Sequence, residues 1–265
     1  MKATGLYDKI KSYKGRPIQR HTSDERWYAP QKSNQWKPSV TTIIGQTIAK
    51  GIGFHKWLGN HPSYKIACEE RDKAAWKGTE VHNMVEKLLN GEVVVSSYDD
   101  EDLETDDELA KHMMSFMKFW KENNLTVLKT ELFLWHEDVE WAGTPDIICE
   151  LNGKLAVIDL KTGKEHKTHE IQLNMYAELI RKTFDVEEIE MYALYTKGKW
   201  IREPNYKMKK AKPSNIMHSI YDVWTWLHTT RSKPWPKDRV QLKYRFDLGQ
   251  DILNKTKESK IMEQL

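Results

Sequence analysis

The sequence predicts an α/β domain with a mixed central β-sheet flanked by helices. Three observations carry that prediction. Two stretches of period-two alternation, residues 141–151 and 154–161, meet at Asn152-Gly153, the signal of a tight hairpin. Ahead of them a helical stripe runs through Ala75, Gly78, His82, Val85 and Leu89. Behind them a helix over 168–182 leads to a strand over 186–196, a crossover that is right-handed if the strand joins the sheet in parallel. The expected order is helix, three-stranded meander, crossover helix, strand. A chain of 265 residues suffices for one such core with elaborations. No repeat or convincing linker divides it. The expected partition is an N-terminal arm over 1–61, the core over 62–230 and a charged extension over 231–265.

Composition narrows the class. Hydrophobic content of 39% is modest, yet 11 Trp and 11 Tyr argue for a folded chain rather than a disordered one. A net charge of +3 does not identify a nucleic-acid partner, so the distribution of charge must decide. Cys68 and Cys149 cannot build a disulfide framework and suit a reducing compartment. No apolar run approaches a membrane span, and the first residues lack a secretory core. The expected location is cytoplasmic.

Within the arm, 26–29 and 35–37 are expected as two short strands, followed by a short helix capped by Thr41 or Thr42. Packing over the edge of the core is preferred there to a substrate-guiding role. A long helix should start at Pro62-Ser63 and stop at Asn90-Gly91. Its inward His82 alone would be an ordinary core histidine. The acidic run 99–108 is expected as a solvated loop before a helix over 106–123. A strand over 127–135 should place Glu131, Phe133 and Trp135 on one face.

The hairpin carries the chemistry. Asp159 and Lys161, two residues apart on a strand, share a face, and Asp146 lies on the partner strand. Crowded carboxylates with an ammonium cost stability, as functional sites do. They suit hydrolysis assisted by a hard divalent cation, or else form a polar hairpin face with a surface ion pair. After the hairpin, Thr168 is the expected cap of the next helix, and Gln172 and Tyr176 stand one turn apart on it. Beyond the strand over 186–196, Lys197, Lys199, Arg202, Lys207, Lys209, Lys210 and Lys212 interleave with Tyr195, Trp200 and Tyr206. This pattern suits a single nucleic-acid strand or a solvated β-hairpin. Ser214 should cap a last amphipathic helix, 216–228, with a short strand at 240–246 and a terminal helix beyond.

Pro145-Asp146 followed by Asp159-Leu160-Lys161 resembles the signature of the PD-(D/E)xK nuclease superfamily. Gly143-Thr144 and the ending Thr162-Gly163 resemble its phage-type, RecB-like exonuclease branch, as do Gly78-x-x-x-His82, Thr130-Glu131-Leu132 and Gln172-x-x-x-Tyr176. The resemblance covers about residues 70–195 and implies a restriction-endonuclease-like core. It further implies a metal-dependent DNA exonuclease acting on single strands or ends, in recombination, repair or phage DNA processing, in the cytoplasm of a bacterium or a phage-infected host. Asp146 and Asp159 would hold one or two Mg²⁺ or Mn²⁺ ions, with His82 and the Leu160 carbonyl completing the shell. Lys161 would position water and stabilise the phosphorus, and Glu131 would hold a second ion or the water. Gln172 would orient the lysine or phosphate, and Tyr176 would contact the strand. Lys197, Lys199, Trp200, Lys207, Lys209 and Lys210 are the further DNA-binding candidates. Relatives with an iron–sulfur cluster use four cysteines, so none is expected here. A structure-specific or flap endonuclease and a catalytically silent DNA-binding module are the alternatives.

Overall fold

The computed structural model describes residues 3–15, 17–21, 25–31, 35–92, 94, 103–199 and 202–228. Its central sheet has five strands in sequence order: β4 (Leu125–Thr130), β5 (Ile147–Leu151), β6 (Lys154–Lys161), β7 (Glu190–Thr196) and β8 (Tyr206–Lys210). All neighbours pair antiparallel except β6 and β7, which run parallel and are joined through helix α6 (Thr168–Phe184). This mixed sheet between helices is the predicted fold.

β6 sits mid-sheet because both its faces are apolar. Ala156, Ile158 and Leu160 pack with Val81 and Val85 of α4 (Tyr64–Leu89) and with Phe116 and Phe119 of α5 (Leu103–Glu122). Leu155 and Val157 join the opposite core with Leu173, Met175 and Ile180 of α6. That second core also receives Ile10 of α1 (Ala3–Ser12), Val40 and Ile43 of α2 (Val40–Thr47), and Trp224 of α7 (Ile216–Leu227).

The long helix α4 matches its expected limits. Ser63 caps it by accepting from Ile66 N, and Gly91 follows in the left-handed region at φ 83°. α5 starts at Leu103, earlier than expected. Several other boundaries differ. β5 begins at Ile147 rather than 141, since Pro145 has no N–H for a ladder; Ala142 and Gly143 instead bridge Ser39 and Leu134. β4 ends at Thr130, because Glu131 takes a left-handed backbone at φ 44° and turns the chain out of the sheet. Glu131 is therefore not a strand residue.

The arm forms a sheet of its own, β1 (Pro17–His21), β2 (Arg26–Pro30) and β3 (Lys37–Pro38), in which β1 was not anticipated. Ser39, not Thr41 or Thr42, caps α2. Thr42 bonds instead to the backbone of Arg26. A further short helix, α3, spans Ile52–Gly59. At α6, Thr168 is the first helical residue, and its hydroxyl meets His166 Nδ1. Ser214 does accept from Ile216 N at the start of α7, although Asn215 holds the capping position. The predicted elements beyond 228 lie outside the described residues. Among the described residues, no helix is long and apolar enough to cross a membrane.

Candidate active site

α4 brings His82 to the end of the central sheet. A Cβ on Gly78, one turn earlier, would stand 3.3 Å from Thr162 Oγ1, so the bare glycine eases the approach of the helix to the end of β6. His82 Nδ1 lies 3.2 Å from Asp146 Oδ1. Leu160 N donates to the other oxygen, Asp146 Oδ2, at 2.6 Å. The turn at Glu131 is tied to the same residue, because Glu131 N donates to the Asp146 carbonyl at 2.9 Å. One ligand atom each from His82, Glu131 and Asp146 all lie within 4.8 Å of one another.

The charges in this cluster set each other. Burial opposes a proton on His82, but the Asp146 carboxylate overrides it and lifts the imidazole to about 9. Burial and the Asp146 charge push Glu131 up to about 8. Burial alone would raise Asp146 too; His82, Lys161 and the Leu160 N–H together hold it below the usual carboxylate range.

A second network adjoins the first. Asp159 is buried on the α6 face of β6, and its Oδ2 lies 2.6 Å from Lys161 Nζ. Gln172 bridges the pair: its Oε1 accepts from Lys161 Nζ at 3.1 Å, and its Nε2 donates to Asp159 Oδ1 and to Tyr176 Oη, both at 3.2 Å. The one-turn spacing of Gln172 and Tyr176 makes this geometry possible. Burial, with the Asp146 charge, raises Asp159 to about 6 despite Lys161. The two carboxylates hold Lys161 above its ordinary value, against burial. Gly143 makes room for Tyr176, since a Cβ there would meet the ring at 2.6 Å.

A match to the PD-(D/E)XK nuclease superfamily extends over residues 26–240. The chain belongs to that superfamily. No curated protein matches the sequence. Two solved structures are similar in part. SSO0001 shares 20% identity at a TM-score of 0.29, over 47% of this chain and 59% of that one, so this chain spans less than two thirds of its length. An alkaline exonuclease from Laribacter hongkongensis, LHK-Exo, shares 10% identity at a TM-score of 0.34, over 73% of this chain and 86% of that one. Scores this low add nothing to the family match.

PD-(D/E)XK nucleases use divalent metals, and the donors here fit one. Imidazole and carboxylate suit a hard or borderline cation. Apart from its ion contact with Lys161, the buried Asp159 Oδ2 has no hydrogen-bond partner. Asp159 stands outside the trio of His82, Glu131 and Asp146, and the structure gives Leu160 a backbone N–H role at Asp146.

The seven side chains that the resemblance singled out, His82, Glu131, Asp146, Asp159, Lys161, Gln172 and Tyr176, line one cavity of about 910 Å³. The basic segment does not line it. Lys207 and Lys209 pair with Glu165 at 2.6 and 2.7 Å, Lys209 also with Glu170 at 3.0 Å, and Lys210 with Glu190 at 2.8 Å. Those lysines hold Glu165 and Glu190 down to about 2. Of the other candidates there, Lys197 and Lys199 are exposed, and Trp200 lies outside the described residues. Sequence reasoning missed Lys14 and Arg26 of the arm and Lys129 beside the site; Tyr28 and the motif residue Thr144 also line the cavity. The only sequence signal for them was the density of basic and aromatic residues in an aperiodic stretch.

Proposed function

We propose that the chain is a RecB-like, metal-dependent DNA exonuclease that degrades strands from free ends. The observation that carries this reading is the convergence of the acidic trio and the Asp159–Lys161–Gln172 network in one cavity. Asp146, Asp159, His82, Glu131 and the Leu160 carbonyl are the residues that would hold Mg²⁺ or Mn²⁺. Bound there, such an ion supplies an activated water and charge neutralisation at the phosphorus.

The chain's own groups have distinct tasks. Lys161 presents a positive charge where a phosphoryl oxygen gains negative charge in the transition state. Gln172 fixes the direction of that ammonium by accepting one of its hydrogens while holding Asp159. Tyr176, buried behind Gln172, keeps the amide from rotating. Glu131, one of the three side chains whose ligand atoms converge beside Asp146, would hold a second ion or orient the attacking water. The setting would be DNA recombination, repair or phage DNA processing.

Linear and covalently closed circular DNA incubated with Mg²⁺ or Mn²⁺ test the reading. Loss of the linear form alone supports an exonuclease. Nicking of circles would instead establish an endonuclease with the same site, and survival of both would refute hydrolysis altogether.

A further inference from the structure

Three cations line the cavity in addition to Lys161: Lys14 and Arg26 from the arm and Lys129 from β4. Among the described residues, no ion pair joins any of the three to an acid. The β8 lysines contrast with them, each being occupied by a glutamate. The arm that carries Lys14 and Arg26 is seated firmly beside the acidic trio. A Cβ on Gly15 would stand 2.6 Å from the Phe133 carbonyl, so the arm lies directly on the segment that follows Glu131. Tyr28 is buried, its ring centroid 5.2 Å from that of Phe133 and its hydroxyl 3.4 Å from Thr144 Oγ1, two residues before Asp146. A β-bulge between Val127 and Lys129 breaks the ladder at the point where Lys129 turns to the cavity.

Cations left unneutralised around a nuclease cavity attract the phosphates of its substrate. We infer that the arm is a wall of the active site, in which Lys14, Arg26 and Lys129 bind backbone phosphates of a single strand on either side of the scissile one. The strand is taken as single because a cavity of about 910 Å³, near the top of the roughly 300–1,000 Å³ range of small-ligand sites, matches a few nucleotides of one chain. This inference rests on the nuclease reading and adds the residues that set strand position and grip.

The test is binding of a fluorescent single-stranded oligonucleotide to the full chain, with Ca²⁺ replacing Mg²⁺, over a range of salt. Each of K14Q, R26Q and K129Q should flatten the plot of log affinity against log salt by about 0.7, and the triple variant by about 2. The exposed pair K207Q and K210Q should leave the slope unchanged. The single variants decide the matter if the triple variant folds poorly. An unchanged slope in all three singles, with the parent binding normally, overturns the role of the arm and leaves the nuclease reading standing. Failure of the parent to bind any strand overturns both.

Discussion

Two histidines point inward from the helical layer of α4 and α5, and their surroundings drive them in opposite directions. Asp146 lifts His82 to about 9 against burial, whereas burial depresses His112 to about 4. Around His112 every polar demand is met locally. Its Nδ1 meets Thr196 Oγ1 at 2.8 Å, Ser115 donates to the Lys197 carbonyl at 2.9 Å, and Lys77 pairs with Glu108 at 2.5 Å. There is no room beside it, since a Cβ on Gly198 would stand 2.5 Å from His112 Nε2. Around His82 the reverse holds. Apart from its ion contact with Lys161, Asp159 Oδ2 has no hydrogen-bond partner, and a cavity opens in front of the acids. Buried polarity is common to both clusters. An unmet electrostatic demand facing open space is what marks the site.

The comparison is sharpest at its largest expected effect. Asp159→Asn should lower turnover by about 10³-fold or more while strand binding survives, the scale of losing a charge-stabilising group. Lys161→Ala should cost about 10²–10³-fold. Calorimetric Mn²⁺ titration separates the two, with affinity falling in the aspartate variant and nearly kept in the lysine variant. Near-parental turnover in Asp159→Asn would remove the contrast with the His112 cluster.

Next comes the pH dependence of folding. His112 is neutral in the native state down to about 4, whereas the unfolded chain takes up a proton below its ordinary value near 6.5. Its contribution is therefore complete above pH 6.5 and lost as pH falls toward 4, reaching on the order of 3 kcal/mol. Denaturant unfolding of the parent and His112→Gln at pH 4.5 and 7.5 checks this: the variant should show a weaker loss in acid. Activity per folded molecule should not change.

His82→Ala should do the opposite, weakening Mn²⁺ binding by about 10–100-fold with little change in melting temperature, and excess Mn²⁺ should restore part of the turnover. A lower melting point with unmoved metal affinity would make His82 a second His112. The smallest effect is expected at the β8 edge, where Lys207→Ala with Lys210→Ala should leave the denaturation midpoint essentially unchanged, because exposed ion pairs contribute little.

Much of this molecule can be read from residue order, and the failures have physical causes. Asn152-Gly153 places the hairpin turn and period two gives β6 its limits, because a fully buried central strand leaves no slack in register. Ser63 and Gly91 mark the ends of α4 for the same reason that they cap it. β4 was extended too far because Leu132 and Leu134 keep alternating after the backbone turns at Glu131; both are buried by loop packing rather than by the sheet. Trp224 and Trp226 look equivalent in sequence, yet one is buried and the other 73% exposed, since they stand on opposite sides of α7. Within the site, local motifs were legible: Asp159-x-Lys161 and the Gln172–Tyr176 turn sit together as expected. The cations of the arm were not, because Lys14 and Arg26 reach the cavity by tertiary approach, and no periodicity encodes that.

The parallel pairing of β6 with β7 has a consequence for the order of assembly. The hairpin of β5 and β6 is local in sequence, so Asp146, Asp159 and Lys161 come together early. Parallel neighbours cannot join until a whole crossover has been made, and here the crossover helix is the one that carries Gln172 and Tyr176. His82 and the arm arrive from still farther along the chain, and contacts of such long range form slowly. A half-folded chain thus holds its acids and its lysine without the groups that aim them. The groups that aim the acids and the lysine are joined to them through the crossover and through contacts of longer range still.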